Sequence, residues 1–391
     1  MLKFFKEKSN IGLLVLYVMS FFLALATALP AYVQSSYIES FVGLSAVNWF
    51  FISANLVSII MTLIFPSLIK KIGNYLTTGF IVSLFIISLI GLGLANSPYL
   101  IFLFFIIMQV TANLILINMD IFVEKFSKDS STGETRTIYF TIINLAWILS
   151  PNLSAWLINL SGYYGIFLAS AILLIPFLLI LFIGRRQINE RFDYKKTDLK
   201  KTIIAMFKDS NLKNIFWLAM LLNVFYNATT IFIPIYLNRT IGFSWTELGL
   251  IFSLMLIPFL VVEIPAGIIS DKYLGEKEMF YAGYSIIILC LVLFFTTTSH
   301  NLWLWAGLLF TSRIGAALVE AMRESYFFKK VDAGDIDKIN IFRTTIPLGY
   351  IIGSIISLIT LVFLPISYIF PITAIFICSA FFCLFFIKDT K

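Results

Sequence analysis

The feature that most constrains this sequence is a series of apolar segments, each about 20 residues long, that recur from one end to the other. A helix of that length can cross the hydrocarbon layer of a bilayer. Only 13% of the 391 residues are charged, whereas about a quarter are charged in a typical soluble domain. The short segments of alternating polarity that are typical of outer-membrane barrels are absent. We count roughly twelve candidate spans, with approximate bounds 8–32, 46–69, 76–95, 99–123, 138–160, 164–184, 212–237, 245–270, 279–297, 302–328, 342–362 and 367–387. The sequence therefore predicts an all-α integral membrane protein with twelve transmembrane helices.

The distribution of basic residues predicts the orientation. If both termini are cytoplasmic, all but two of the 28 Lys and Arg residues lie on the cytoplasmic side or its boundary, as the positive-inside rule requires. The exceptions are Arg239, in an external loop, and Arg313, inside a span. The formal net charge of +7 is thereby explained without a nucleic acid. We expect a monomeric, multi-pass protein of the cytoplasmic (inner) membrane whose partners are the lipid bilayer and a small-molecule substrate.

The longest break in hydrophobicity, from Gly184 to Asn214, divides the spans six and six. It predicts an N-terminal bundle (1–184), a cytoplasmic linker (185–211) and a C-terminal bundle (212–391). The halves resemble each other: "LPAYV" at Leu29 is similar to "IPIYL" at Ile233, and "RTIYF" at Arg136 to "RTTIP" at Arg343. We therefore expect a pseudo-two-fold axis along the membrane normal. Within the linker, residues 199–207 form either an amphipathic helix on the inner leaflet or part of a solvated segment.

Polar residues fall in stripes on the fourth, seventh and tenth predicted helices when they are projected at 100° per residue. The stripe of the seventh helix contains Asn223, Asn227 and Thr230. Such stripes either line a substrate site or form hydrogen bonds between helices. Arg313 is the lone cation that we expect in mid-membrane, where it binds an anionic group or pairs with a carboxylate. The candidate substrate-binding residues are Gln109, Asn113, Trp147, Asn223, Tyr226, Asn227 and Arg313.

An acid interrupts the apolar run "SLMLIPFLVVEIPAGIIS", after which the chain becomes polar at "DKYLGEK". Glu263 lies roughly 12 Å along a helix from Asp271, which places it within the hydrocarbon. It is either a proton site or the partner of an arginine. Pro265, two residues later, should free a backbone carbonyl and bend the helix. We regard Glu263, Asp120 and Glu320 as proton-coupling candidates.

The two related halves and the basic central loop resemble the major facilitator superfamily. The family's loop motif G-x-L-x-D-R-x-G-R-K is matched by Gly267, Asp271, Lys272 and Gly275, with one extra residue before Gly275 and Glu276 in place of an arginine. The first-half copy, "PSLIKKIGNYL", is eroded. The resemblance implies alternating access through a cavity lined mainly by helices 1, 4, 7 and 10. It also implies a gating latch, in which the loop with Gly267, Asp271, Lys272 and Gly275 meets Arg136 at the start of helix 5.

The resulting functional hypothesis is a secondary active transporter of a small solute, coupled to an ion gradient, most simply a proton gradient. No GxxxxGK[ST] phosphate loop is present, so ATP is not expected to drive transport directly. The single histidine, His300, has no catalytic or metal-ligand pattern beside it; we expect neither enzyme activity, nor a metal site, nor a cofactor. The alternatives are a facilitated uniporter and a transport-inactive sensor or scaffold. The substrate stays open among sugars, amphipathic drugs and anions.

Overall fold

The computed structural model describes residues 8–126, 132–183, 199–331 and 336–388. Within these ranges the regular structure is helical throughout. The α-helices, in chain order, are α1 (Lys8–Ala31), α2 (Gln34–Val42), α3 (Leu44–Ile72), α4 (Asn74–Leu94), α5 (Pro98–Phe126), α6 (Thr132–Ile183), α7 (Leu199–Lys208), α8 (Ser210–Asn227), α9 (Ile233–Ile235), α10 (Trp245–Val261), α11 (Glu263–Lys272), α12 (Glu276–Thr296), α13 (Leu302–Lys330), α14 (Ile336–Arg343), α15 (Thr345–Phe363), α16 (Ile369–Ile377) and α17 (Ser379–Phe386).

Eleven segments in the described ranges are long and apolar enough to cross a membrane. One of them, Ile138–Ile183, has 46 residues, which corresponds to about 70 Å of helix, more than twice the hydrocarbon thickness. It contains Gly162, whose φ of 66° and ψ of −161° are not helical. The count differs by one from the twelve expected spans because the two predicted spans 138–160 and 164–184 lie in this single segment.

The described residues within 1–37 and 60–194 form one compact unit, unit 1. Within it, α1 packs along α6, and α4 packs against α5 and α6. Hydroxyl groups form hydrogen bonds between helices: Ser154 Oγ donates to the Leu29 carbonyl at 2.6 Å, and Tyr37 Oη donates to the Leu92 carbonyl at 2.6 Å. Such bonds satisfy backbone and side-chain groups that have no water to bind inside a membrane.

The described residues within 38–59 and 195–391 form the second compact unit, unit 2. Within it, α8 packs against α15, and α13 packs against α10 and α12. Glycines bring these helices close: a Cβ atom on Gly283 would lie 2.8 Å from the Gly315 carbonyl, and one on Gly353 would lie 2.6 Å from Asn227 Oδ1. Small residues at helix contacts are a common means of packing helices in membranes. The predicted division at 184 and 212 stays a prediction.

Two prolines break the helices that carry the candidate site. Pro234 cannot donate a hydrogen bond to residue 230, and its position between two π-helical turns, Ala228–Phe232 and Tyr236–Ile241, fits this loss. Pro265 likewise cannot donate to Val261, and α10 ends at Val261 while α11 begins at Glu263. The seventh predicted span therefore has a wide turn in its middle, and the eighth has a break directly before Glu263.

Candidate substrate and coupling site

Arg313 is a buried cation near the middle of α13, with only 1% of its surface exposed. Its Nη1 atom donates a hydrogen bond to Thr229 Oγ1 at 3.0 Å. Its Cζ atom lies 5.1 Å from the centre of the Phe225 ring and 5.7 Å from that of Tyr226. Among the described residues, no carboxylate lies within salt-bridge distance of Arg313. A hydroxyl and two ring faces are thus the partners found for this charge, and cation–π contacts offset only part of the cost of burial.

A network of hydrogen bonds and ion pairs begins at Tyr226 and continues along α13. Tyr226 Oη donates a short hydrogen bond to Glu320 Oε2. Arg323 Nη2 lies 2.9 Å from Glu320 Oε1, and its Nε atom lies 3.6 Å from Glu324 Oε1. Arg343 donates to both oxygens of Glu324, at 2.7 and 3.1 Å. Because Tyr226 also contacts Arg313 through its ring, one side chain joins the buried cation to the network.

Arg323 is a functional candidate that the sequence analysis missed. It was expected on the cytoplasmic side, yet it is only 5% exposed and paired with two carboxylates. The sequence feature that could have revealed it is its spacing from Glu320, because residues three apart in a helix share a face.

Glu263 begins α11 and is half-buried. It lies within electrostatic range of Glu320, Glu324 and Arg323. Arg323 pairs with Glu320 and Glu324, and Arg343 pairs with Glu324. Glu263 is therefore a third carboxylate near a group that already contains two, and Arg323 is the arginine within its electrostatic range.

The two asparagines predicted to line the substrate site make contacts between helices. Asn227 Nδ2 donates to the Tyr350 carbonyl at 3.0 Å and to Ser354 Oγ at 2.9 Å, both on α15. Asn223 Nδ2 donates to the Ala219 carbonyl at 2.8 Å, and its Cβ atom faces Gly349 of α15. These contacts favour the packing alternative, and a role in substrate binding stays a prediction for both residues.

The residues of the same segment that contact Arg313 are Phe225, Tyr226 and Thr229. Of these, only Tyr226 was a sequence candidate, and the predicted stripe included Thr230 instead of Thr229. Phe225, Tyr226 and Thr229 are spaced i, i+1 and i+4, so they share one face of the helix. Asn223 and Asn227 contact α15 from another face. The sequence analysis followed the stripe of amides and therefore did not identify the face that meets Arg313.

The predicted site residues of unit 1 occupy neutral surroundings. Asn113 Nδ2 donates to Thr62 Oγ1 at 3.2 Å, and Gln109 is half-buried on the same helix. The Trp147 ring meets that of Tyr32 edge-on at 6.3 Å and packs on a cluster that includes Ala24. The side chain of Asp120 lies outside the described residues.

The predicted latch loop runs from the end of α11 into α12. Gly267 lies in α11 and Lys272 ends it, with an exposed side chain. Gly275 precedes α12 with a φ of 147°, in the region that favours glycine. The side chains of Asp271 and Arg136 lie outside the described residues, so the latch stays a prediction.

Glu276, the residue that departs from the family motif, has a defined place in unit 2. Its side chain is 1% exposed, its Oε1 atom lies 2.6 Å from Lys329 Nζ, and it accepts a hydrogen bond from Ser325 Oγ at 3.4 Å. The substitution of a glutamate for the expected arginine therefore introduces a buried anion that pairs within the same unit.

Comparison with known proteins identifies the family. A family model described as the Major Facilitator Superfamily matches residues 11–335. The chain belongs to the Major Facilitator Superfamily. The resemblance inferred from the sequence is thus confirmed, and the protein is a multi-pass membrane transporter rather than an enzyme.

Solved structures of transporters share the fold of this superfamily member. A crystal structure of a mutant of the nucleoside transporter NupG has a TM-score of 0.74 and 15% identity, and the match covers 96% of this chain and 100% of that one. A bacterial homologue of the human lysosomal transporter Spinster, inward-facing and unoccupied, has a TM-score of 0.67 and 14% identity, with 91% and 83% covered. A comparison with curated protein sequences gives no match. Identities this low establish the fold alone.

Proposed function

We propose that this protein is a secondary active transporter that moves a small solute across the cytoplasmic membrane by alternating access and is driven by a proton gradient. Arg313 anchors the substrate, and Glu263 with Glu320 carries the coupling proton. The environment of Arg313 is the observation on which the proposal rests. A buried guanidinium without a carboxylate partner is costly, and a substrate with a negative charge or a strong acceptor supplies the missing partner.

The proposed topology has twelve spans with both termini in the cytoplasm. The segment Ile138–Ile183 crosses the membrane twice, with its reversal at Gly162, because a positive φ breaks a helix and the segment is twice the necessary length. The remaining ten segments cross once each. This topology keeps both ends on the side where the basic residues concentrate, and it fits two bundles of six spans related along the membrane normal. The protein acts as a monomer.

The clustering of carboxylates around Glu263 supports the coupling role. Glu263 lies within electrostatic range of Glu320 and Glu324, and neighbouring carboxylates favour the uptake of a proton by one of them. A proton on Glu263 relieves this repulsion without breaking the Glu324–Arg343 pair. Tyr226 connects this group to Arg313, because its hydroxyl bonds Glu320 while its ring lies beside the Arg313 guanidinium. A substrate that alters the charge at Arg313 therefore alters the electrostatic field at Glu320.

The first experiment tests Arg313 in the purified protein. Sugars, nucleosides, small organic anions and hydrophobic cations are screened for an increase in unfolding temperature, and each active compound is then tested for uptake into proteoliposomes with an imposed proton gradient. We expect Arg313→Gln to lower uptake about 10- to 100-fold, the loss of one charge-assisted contact. Its unfolding temperature should not fall below that of wild type, because the variant removes an uncompensated buried charge.

The matched control is Arg239→Gln, since the Arg239 side chain is 60% exposed and pairs with Glu39 at 3.0 Å. It should transport like wild type. Uptake by Arg313→Gln at the wild-type rate would contradict the substrate role. If the wild-type protein transports none of the compounds that stabilise it, the transport-inactive sensor is the better description.

The second experiment separates proton coupling from binding. Glu263→Gln imitates a permanently protonated carboxyl, so uptake should no longer respond to the pH gradient while substrate-induced stabilisation persists. Glu278, which is exposed on α12, provides the control Glu278→Gln, which should keep the pH response. Equal pH dependence in Glu263→Gln and wild type would exclude Glu263 as the proton carrier, and uptake in wild type that ignores the gradient would indicate a uniporter.

A further inference from the structure

The amphipathic helix α7 directly precedes a membrane-spanning segment. A single residue, Asp209, separates α7 from α8, where the segment Ser210–Ile241 begins. Asp209 caps α8, because its Oδ1 atom accepts hydrogen bonds from the backbone N–H groups of Asn211 and Leu212 at 2.8 and 3.1 Å. A capped start and a one-residue connection fix where α8 begins, so α7 lies at the depth where this span leaves the bilayer.

One side of α7 is docked on unit 2. Met206 is fully buried, and the Phe207 ring meets the Phe216 ring of α8 at 5.1 Å. The helix also packs against α14. Two further apolar residues, Ile203 and Ile204, remain 36% and 47% exposed. The docked side buries Met206 and one side of the Phe207 ring, which is still 37% exposed. The exposed parts of Ile203, Ile204 and Phe207 need an apolar environment beyond the described part of unit 2.

Basic and aromatic residues border this apolar surface. Lys200 and Lys208 are exposed on α7, and Lys213 is exposed on the first turn of α8. Trp217 lies four residues after Lys213, on the same helix face, and is 40% exposed. Lysines at headgroup level with an exposed tryptophan one turn deeper are the arrangement expected where a protein meets the boundary between headgroups and acyl chains.

We propose that α7 and the start of α8 bind anionic phospholipid headgroups, with Lys200, Lys208 and Lys213 as the basic surface and with Ile203 and Ile204 inserted at the boundary of the acyl chains. The three positively charged lysines complement the negative charge of an anionic leaflet. The exposed isoleucines favour a lipid over a soluble anion as the ligand, because a soluble anion has no apolar part for them to contact. Lipid binding at this surface does not depend on the substrate or coupling ion, so it goes beyond the proposed function.

The test measures lipid retention by native mass spectrometry of the full-length protein, after exchange into micelles with equal amounts of phosphatidylglycerol and phosphatidylcholine. We expect wild type to retain phosphatidylglycerol preferentially. The variant Lys200→Gln/Lys208→Gln/Lys213→Gln should lose this preference by about ten-fold or more, since each lysine near an anionic surface contributes several-fold in affinity. The variant Ile203→Ser/Ile204→Ser should weaken retention of both lipids.

The matched control removes three exposed lysines elsewhere, Lys70, Lys71 and Lys330, and should retain phosphatidylglycerol like wild type. Thermal unfolding with inorganic phosphate in place of lipid forms the other arm. Stabilisation by phosphate as large as that by phosphatidylglycerol would indicate a site for a soluble anion and overturn the proposal. An unchanged lipid preference in the triple variant of the basic surface, or an equal loss in the control, would also overturn it.

Discussion

Units 1 and 2 differ in the contacts that their described buried polar side chains make. In unit 1, these contacts include neutral hydrogen bonds: Asn113 donates to Thr62, Asn118 donates to Thr78, and Ser154 donates to a backbone carbonyl. In unit 2, the described interior includes Arg313 and Arg323, which are exposed by 5% or less. Neutral hydrogen bonds hold helices together at modest cost, whereas buried ions respond to any change in nearby charge. We therefore expect changes of charge to act more strongly on the buried ions of unit 2 than on these neutral contacts of unit 1.

The largest expected effect is the loss of Arg323. Arg323→Met removes the arginine that pairs with Glu320 and one of the two arginines that pair with Glu324. The free energy of unfolding should therefore fall by about 3–5 kcal/mol. Unfolding in detergent with increasing denaturant measures this change. The double variant Arg323→Met/Glu320→Gln should recover part of it, because it also removes the unpaired charge.

The control for this charge effect is Arg239→Met, at the exposed pair with Glu39. An exposed ion pair contributes about 0–1 kcal/mol, so this variant should unfold close to wild type. If Arg323→Met is no less stable than Arg239→Met, the two units do not differ in the way described.

A medium effect is expected where α8 meets α15. A methyl group on Gly353 would lie 2.6 Å from Asn227 Oδ1 and 2.7 Å from Asn227 Cβ. Gly353→Ala should therefore destabilise the protein by about 1–3 kcal/mol, the usual cost of overpacking. The same unfolding measurement applies, and the double variant Gly353→Ala/Asn227→Gly should recover stability if the clash is the cause. An additive loss in the double variant would show that the clash is not responsible.

The smallest effect is expected in unit 1. Asn113→Leu removes the hydrogen bond to Thr62 at 3.2 Å, and bonds of this kind between membrane helices contribute about 0.6 kcal/mol on average. We expect a loss of that order and unchanged proton coupling of uptake. A fall of several kcal/mol in the free energy of unfolding, or a loss of proton coupling, would show that Asn113 is as critical as the buried ions of unit 2. The contrast between the units would then not hold.

The membrane class, the family and the burial of Arg313 follow from the sequence because each depends on composition or on a charge in an apolar segment. The partners of Arg313 do not, because nothing in the sequence marks the helix face that carries Phe225 and Thr229 as the one that meets α13. Asn227 carries an amide suited to a substrate or to a neighbouring helix, and only the approach of Gly353 decides which contact it makes. Arg323 shows the same limit, since a basic residue near the end of a span is buried or solvated according to its tertiary partners.

The π-helical turn Ala228–Phe232 also affects how this chain is aligned with its relatives. A π-turn contains about one residue more than an α-turn, so side chains beyond it are rotated by about 100° from where a regular helix would place them. A relative without this turn needs a one-residue gap within Ala228–Phe232 for its seventh span to match in space. If the gap is omitted, residues after Phe232 are equated with residues on another helix face, and the assignments from there to the end of the span are transferred to the wrong side of the helix.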